Sequence, residues 1–283
     1  METNKILILG SKGMLGGQFL KLFNSEAVGW DREECDILNE QELTEKIERL
    51  SPSVVINCVA FNDVDGAEDK PDMAFKLNVE AVGALARITK KFEIPLVHFS
   101  TNYVFSGDKG EYQEEDQPDP ESIYGKTKHQ GEMELVKNTD KYYLVRTSVL
   151  FGPEGESVLS KKSFVELMLD LAQKNDTIKA VNNETNSLTY VVDLAKKVEV
   201  LLREKKPFGI YHIVNSGQAS WYEFAVEIFK LANKTVTVLP VEGSEFQRKA
   251  SRPKKAVLKN TKLTPLRSWQ EALKEFLISN LYL

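Results

Sequence analysis

The sequence has few of the residues that build disulfide frameworks and metal centres. Its 283 residues include two cysteines and three histidines. Cys35 and Cys58 are too few for a disulfide framework, and their spacing does not match a C-x-x-C metal motif. His98, His129 and His212 are scattered, with no second ligand at the spacing of a zinc site. We therefore expect reduced thiols, no metal site and a cytoplasmic protein.

Long apolar runs and an excess of positive charge are also lacking. A membrane span needs roughly 18 or more apolar residues, whereas the longest run, residues 54–61 (VVINCVAF), is shorter and contains Asn57. The N-terminal residues lead directly into an apolar strand, without the cleavage site of a secretory signal. Lys and Arg number 37 against 42 Asp and Glu, a net charge of −5. We expect neither a nucleic-acid partner nor a membrane partner.

The first half of the chain alternates short apolar strands with amphipathic helices. This alternation is typical of an α/β fold of the Rossmann type, a doubly wound parallel sheet covered by helices on both faces. Such sheets bind ligands beyond the carboxyl ends of their strands. The predicted strands are 5–9, 27–30, 54–57, 94–99 and 142–146, and the predicted helices are 13–23, 39–50, 67–92 and 122–137.

The pattern loosens after residue 150. We divide the chain into a sheet domain, 1–150, and a smaller C-terminal lobe, 151–283, with a soft boundary and some segments that return to the first domain. The sequence has no repeat and no low-complexity linker between them. The lobe is predicted to contain helices at 163–173, 190–204, 221–232 and 268–278, with strands at 210–214 and 236–239.

The turn after the first predicted strand has a glycine at every third position. Gly10, Gly13 and Gly16 form a G-x-x-G-x-x-G pattern. Missing side chains let the backbone approach a pyrophosphate, and the following helix offers free N–H groups and the positive end of its dipole. Asp31 ends the second predicted strand, where a carboxylate accepts from the ribose hydroxyls of an adenosine. Arg32 comes next and could instead pair with a 2′-phosphate, so NAD and NADP both remain open.

A second group of residues could carry proton transfer. Tyr124 and Lys128 are four residues apart within a predicted helix, so they lie on one face. A lysine ammonium near a tyrosine, whose ordinary pKa is about 10, favours the phenolate. We therefore expect Lys128 to lower the pKa of Tyr124. The fourth predicted strand leads into Ser100 and Thr101 at the edge of the sheet, where a hydroxyl could hydrogen-bond a substrate carbonyl beside Tyr124.

Taken together, these residues resemble an extended short-chain dehydrogenase/reductase, and more narrowly the dTDP-4-dehydrorhamnose reductase family. Residues 100–107 (STNYVFSG), 124–128 (YGKTK) and 146–148 (RTS) carry the resemblance. It extends over essentially the whole chain. Further matches are Asp65 with Ala67 and Glu68, Asn78, and Arg252 with Pro253.

The resemblance implies reduction of the 4-keto group of a nucleotide-linked deoxy-sugar, with dTDP-4-dehydrorhamnose as the expected substrate. NADP(H) is the implied cofactor, with NAD(H) as an alternative, and residues 151–283 become mainly a substrate-binding lobe. In such enzymes Tyr124 donates a proton, Lys128 tunes Tyr124 and holds the nicotinamide ribose, and Thr101 hydrogen-bonds the reacting oxygen. The implied cofactor contacts are Gly10, Gly13, Met14, Leu15, Gly16, Asp31, Arg32, Asp36, Ile37, Ala60, Phe61, Asn62 and Phe99, together with Tyr124 and Lys128.

The sequence departs from the family pattern on the substrate side. Asn102 replaces an aspartate, and Val149 replaces a tryptophan that packs on the sugar. Residues 183–189 (NETNSLT) lack the family's glycine and proline, and Ala256 replaces a serine after Arg252. With Thr101, the residues Asn102, Val149 and Arg252 are our expected substrate contacts.

These departures leave other functions open. One alternative is another sugar-nucleotide reductase or an epimerase, because Val149 stands where the family has tryptophan. A second is a regulatory subunit that binds NADP without catalysis, although such a subunit has no need of Thr101, Tyr124 and Lys128 together. The resemblance also implies a homodimer.

Overall fold

The apolar runs form short strands in the computed structural model, which describes residues 5–157, 162–280 and 282. Most of the predicted strands of the first half are present within one or two residues of their expected bounds. The strands are β1 (Ile6–Leu9), β2 (Ala27–Trp30), β3 (Val54–Asn57), β4 (Leu96–Thr101), β5 (Gly110–Tyr112), β6 (Tyr142–Thr147), β7 (Leu150–Phe151), β8 (Thr177–Val181), β9 (Thr185–Asn186), β10 (Thr189–Tyr190), β11 (Gly209–His212), β12 (Ala219–Ser220), β13 (Thr237–Val241) and β14 (Lys255–Leu258).

The helices alternate with these strands as the sequence predicts. The long helix predicted at 67–92 is wrong in detail, because Pro71 starts a new helix and a π-helical turn, Lys76–Glu80, interrupts it again. The helices are α1 (Met14–Phe23), α2 (Glu40–Leu50), α3 (Val64–Asp69), α4 (Pro71–Phe75), α5 (Ala81–Lys91), α6 (Ile123–Asn138), α7 (Phe164–Ala172), α8 (Val191–Arg203), α9 (Trp221–Leu231) and α10 (Trp269–Ser279).

Six strands form one parallel sheet in the order β11-β6-β4-β3-β1-β2. Side chains of β1 alternate between its two faces, since Ile6 and Ile8 join the core that includes α1 and α8. Leu7 and Leu9 join the core that includes α2 and α5. Burial on both faces explains why these strands are continuous apolar runs. The predicted α/β fold with a doubly wound parallel sheet is confirmed.

The second half contains several short strands that the sequence pattern did not predict, besides the predicted strand β13. With β5 of the first half they form a four-stranded sheet, β12-β9-β14-β5, and two pairs, β10-β7 and β13-β8. Helices α7, α9 and α10 share a core with Phe151 and Leu188. Strand β11 pairs with β6 of the large sheet, so the chain returns to that sheet after residue 150. The division at residue 150 stays a prediction.

The carboxyl ends of β1, β3, β4 and β6 lie side by side because these strands are parallel neighbours. The glycine turn follows β1, residues 58–62 follow β3, Thr101 ends β4 and Thr147 ends β6. Most of the candidate site residues are therefore gathered at one edge of the sheet.

Candidate active site

The glycine turn does not accommodate side chains at its first and last glycines. Gly10 has a φ of 73°, a conformation that favours glycine. A Cβ atom at Gly16 would overlap the carbonyl oxygen of Gly10. Helix α1 begins after Gly13, which has no side chain that could cap the helix. The first-turn N–H groups, including those of Met14 and Leu15, therefore give this edge an anion-binding character.

Asp31 lies beside this turn at the end of β2. One carboxylate oxygen accepts from the backbone N–H of Lys12 at 3.1 Å and the other from that of Arg32 at 2.9 Å. The Arg32 side chain is 81% exposed and lies 3.9 Å from Asp36. The Asp31 carboxylate, suited to an adenosine ribose, and the Arg32 guanidinium, suited to a 2′-phosphate, are thus both at the end of β2. This arrangement is compatible with NAD and with NADP. Ile37, which follows Asp36 in the sequence, is buried in the core that includes α2.

Helix α6 positions Tyr124 at its first turn. The hydroxyl of Ser122 accepts from the N–H of Gly125 at 3.1 Å, and the Glu68 carboxylate accepts from the N–H of Ile123 at 2.9 Å. A Cβ atom at Gly125 would overlap the carbonyl oxygen of Tyr103, so this glycine lets α6 approach the segment after β4. The sequence did not predict that Glu68 caps α6. The only indication of a role for Glu68 was its match to the family pattern.

The Tyr124 side chain is held between an aromatic ring and a hydroxyl. The rings of Tyr103 and Tyr124 meet edge to face, with their centroids 5.6 Å apart. Burial raises the pKa of Tyr124, and a hydrogen bond with the Thr101 side chain offsets this only in part. The rise from burial dominates, and the expectation that Lys128 lowers the pKa of Tyr124 stays a prediction. Tyr124 is protonated at neutral pH, which is the form that can donate a proton.

Lys128 is buried behind Tyr124 and is held by β4. Its Nζ donates to the backbone oxygen of Phe99 at 2.7 Å and lies 3.5 Å from Nε2 of His98. Burial lowers the pKa of Lys128 to about 8, and the negative charge of Glu132 opposes this shift. The lysine therefore titrates closer to neutral pH than a solvent-exposed lysine does.

The loop after β3, residues 58–62, contains Ala60, Phe61 and Asn62. Asn78, in the π-helical turn, accepts from the N–H of Phe61 at 2.9 Å and donates to its carbonyl at 3.1 Å. The same amide donates to the hydroxyl of Thr127 on α6 at 3.1 Å. Asn78 thus ties the loop to the helix that carries Tyr124. Its only signal in the sequence was its place in the family pattern.

The departures from the family pattern meet one another in space. The Asn102 side chain is buried, and its Nδ2 donates to Oδ1 of Asn186 at 2.9 Å and to the backbone oxygen of Ala256 at 3.1 Å. Asn102 therefore joins the end of β4 to β9 and β14. Whether it also contacts substrate stays a prediction.

Val149 lies in the turn between β6 and β7. Its φ is 36°, an uncommon conformation for a β-branched residue and a sign of local strain. Its carbonyl accepts from the N–H of Thr189 at 3.1 Å, and the Thr189 hydroxyl donates to the carbonyl of Ser148 at 2.7 Å. Residues 183–189 and 147–149 are therefore in direct contact.

The Arg252 guanidinium pairs with a carboxylate. It donates to Asp65 at 2.8 Å, and the other oxygen of Asp65 accepts from the N–H groups of Lys249 and Ala250, each at 3.0 Å. The segment with Arg252 is thereby fixed to α3, which also caps α6 through Glu68.

The described ranges, 5–157, 162–280 and 282, contain neither a candidate membrane span nor a candidate metal site. No helix within them is long and apolar enough to cross a membrane. The same ranges contain no group of three or more His, Cys, Asp and Glu side chains arranged to hold a metal ion.

Comparison with known proteins gives one family for almost the entire chain. Residues 4–281 match the family model described as the RmlD substrate binding domain. The spore coat polysaccharide biosynthesis protein SpsK of Bacillus subtilis is 35% identical, over 96% of both chains.

Solved structures agree with this match. The chain is similar to a dTDP-4-dehydrorhamnose reductase from Clostridium acetobutylicum, with a TM-score of 0.92, 37% identity and coverage of 99% of this chain and 100% of the other. It is also similar to the dTDP-4-dehydrorhamnose reductase of Bacillus anthracis in complex with NADP, with a TM-score of 0.93, 34% identity and coverage of 98% and 99%.

Proposed function

Because the chain belongs to the RmlD substrate binding domain family, we propose that it is an NAD(P)H-dependent reductase of a dTDP-linked 4-keto deoxy-sugar. The substrate supported best is dTDP-4-dehydrorhamnose, since relatives covering almost the full length carry that activity in their names. The product is then dTDP-rhamnose.

The glycine turn fits a dinucleotide. Gly10, Gly13 and Gly16 project no side chains from the turn, and the N-cap residue of α1, Gly13, has no side chain that could cap the helix. These features suit a pyrophosphate. The bound nicotinamide supplies the hydride that reduces the sugar carbonyl.

The observation that carries the proposal is the meeting of Tyr124, Thr101 and Lys128 at the carboxyl end of β4. The Thr101 side chain at the end of β4 opposes the rise in the pKa of Tyr124, and Lys128 is anchored two residues earlier on the strand, at Phe99. Tyr124, held protonated by burial, donates its proton to the oxygen that becomes negative as the carbonyl is reduced. Thr101 donates a hydrogen bond to the same oxygen. Solvent then returns a proton to Tyr124.

Tyr124→Phe tests this assignment. The variant keeps the ring packed against Tyr103 but lacks the acidic proton, so we expect turnover to fall by about 10²–10⁴-fold. Turnover is measured as oxidation of NADPH with dTDP-4-dehydrorhamnose, and NADPH binding by calorimetry should be unchanged.

Tyr222→Phe, on α9 in the second lobe, is the matched control and should retain full turnover. Unchanged turnover in Tyr124→Phe would exclude Tyr124 as the acid. Parallel assays with NADH decide the cofactor preference that Asp31 and Arg32 leave open. The homodimer and the substrate contacts of Asn102, Val149 and Arg252 stay predictions.

A further inference from the structure

His98 is a buried histidine for which the reaction above has no use. It lies in β4, in register between Asn57 of β3 and Leu144 of β6, and is 1% exposed. Burial, with a smaller contribution from the charge of Lys128, holds the pKa of His98 well below its usual range. The ring is therefore neutral at pH 7, with a proton on one nitrogen only.

Asn57 determines which nitrogen carries that proton. The N–H of Val59 needs an acceptor, and Oδ1 of Asn57 accepts from it at 3.0 Å. The amide group Nδ2 of Asn57 is therefore the atom that lies 3.2 Å from Nδ1 of His98. Because this amide nitrogen can only donate, Nδ1 of His98 must accept, and the proton resides on Nε2.

The protonated nitrogen faces Lys128. Nε2 of His98 lies 3.5 Å from Nζ of Lys128, which donates to the carbonyl of Phe99. An N–H group cannot accept a hydrogen bond from an ammonium, so His98 gives the charged lysine no stabilising partner. An uncharged amine, by contrast, could accept from this N–H.

The carboxylate nearest to Lys128 and His98, that of Glu132, has its charge balanced by an arginine. Glu132, one turn after Lys128 on α6, acts on both Lys128 and His98. Its carboxylate is paired with Arg146 of β6 through two hydrogen bonds of 3.0 and 2.7 Å. His129, on α6, lies 3.6 Å from the same carboxylate.

We propose that Asn57 and His98 are positioning residues for Lys128. Asn57 holds the imidazole proton of His98 on Nε2, and this N–H group favours the uncharged form of the Lys128 amine over the ammonium. The remaining donors of Lys128 are then left for the ribose of the cofactor. The pair thereby sets the upper pH limit of the reaction. This consequence for activity rests on the proposed reductase function, whereas the position of the imidazole proton does not.

His212 is a second buried histidine, and its proton lies on the other ring nitrogen. It is also buried, and burial is the main cause that lowers its pKa to about 4. Its Nδ1 lies 3.0 Å from the backbone oxygen of Lys259. A carbonyl oxygen only accepts, so His212 carries its proton on Nδ1. The two buried rings therefore hold their protons on different nitrogens.

Nitrogen NMR of the histidine-labelled full chain tests the proton positions directly. His98→Gln, His129→Gln and His212→Gln assign the three rings. At neutral pH we expect His98 to show a protonated Nε2 and a bare Nδ1, and His212 the reverse. A protonated Nδ1 in His98, or a charged His98 ring, would overturn the proposal whatever the enzyme's activity.

The pH profile of kcat/KM tests the effect on Lys128. In His98→Gln the side-chain carbonyl can accept from the ammonium, so the alkaline limb should move up by about one pH unit. His212→Gln, a matched change at another buried histidine, should leave the limb in place. A limb that is unmoved in His98→Gln, or that moves equally in both variants, overturns the proposal. Absence of reductase activity in the unmodified protein would contradict the proposed function, while the NMR result would still decide the proton position.

Discussion

Glu132 is a buried carboxylate behind the candidate site, and its charge depends on Arg146. Their side chains are only 4% and 3% exposed. Burial alone would raise the pKa of Glu132, but the nearby His129 ring, together with the hydrogen bonds and the charge of Arg146, lowers it to about 2. The folded protein therefore holds this carboxylate in its charged form more strongly than the unfolded chain does.

Glu132→Gln should destabilise the protein and change its response to acid. The variant leaves the Arg146 charge buried without a counter-charge, which costs about 3–5 kcal/mol. Because the folded pKa is depressed, the contribution of Glu132 to stability is present above pH 4.5 and is lost as the pH falls toward about 2. Urea unfolding at several pH values across this window should show that the free energy of unfolding falls less steeply with decreasing pH in Glu132→Gln than in the unmodified protein. The exposed Glu48→Gln is the control, and a slope equal to that of the unmodified protein would contradict the prediction.

Residue spacing predicted part of this site and missed the rest for a physical reason. Tyr124 and Lys128 follow from i,i+4 spacing on one helix. Glu132 continues the same spacing by one more turn and could have been found in that way. Its partner Arg146 comes from a strand, and His98 comes from another. Local periodicity carries no information about which strand packs behind a helix.

The N-terminal turn of α6 is the element that sets the position of Tyr124. Gly125→Ala would introduce a Cβ atom that overlaps the carbonyl oxygen of Tyr103, so the helix end must move away from Thr101. A displacement of about 1 Å can lower turnover by roughly 10²-fold. Steady-state kinetics should therefore show a large loss in kcat, while NADPH binding is retained.

Gly17→Ala is the matched control, a glycine-to-alanine change within α1. A Cβ atom there would be 3.7 Å from the nearest heavy atom outside its own helix turn, the carbonyl oxygen of Ser11, and alanine favours the helix by up to about 1 kcal/mol. Thermal melts should show Gly17→Ala as stable as the unmodified protein or more so. If Gly125→Ala matched it in both kcat and melting temperature, the close approach of α6 would not position Tyr124.

Elements with a long periodic pattern were predicted well, and short ones were not. Helices α1 and α2 agree with the sequence because each buries an apolar stripe over several turns. Strands β9, β10 and β12 have two residues each, too few to show an alternation. The π-helical turn before α5 was also missed, since its sequence has the apolar spacing of an ordinary helix.

The two halves of the whole molecule are joined by contacts between residues far apart in the sequence. Asn102 reaches Ala256 across 154 residues, and Asp65 reaches Arg252 across 187. The sequence predicted a second lobe and segments that return to the first, because the strand–helix pattern changes near residue 150. The sequence could not predict these contacts, since each polar side chain has many possible hydrogen-bond partners along the chain and the sequence does not show which of them the fold brings near.

Asp65 connects the two halves through separate oxygens, which allows one link to be removed alone. Asp65→Asn keeps the oxygen that accepts from the N–H groups of Lys249 and Ala250, and it turns an N–H₂ group toward Arg252. Arg252 then loses the carboxylate that orients it. If Arg252 meets the substrate's diphosphate, KM for the nucleotide sugar should rise several-fold, while the Kd of NADPH and kcat change little.

The ion pair between Lys249 and Asp69 in the same segment provides the control. Both side chains are more than half exposed, and such pairs contribute only about 0–1 kcal/mol. Lys249→Ala should therefore leave KM for the nucleotide sugar unchanged. A KM that is unaffected in Asp65→Asn would mean that Arg252 does not reach the substrate, and that its pairing with α3 serves to hold the second half of the chain against the first.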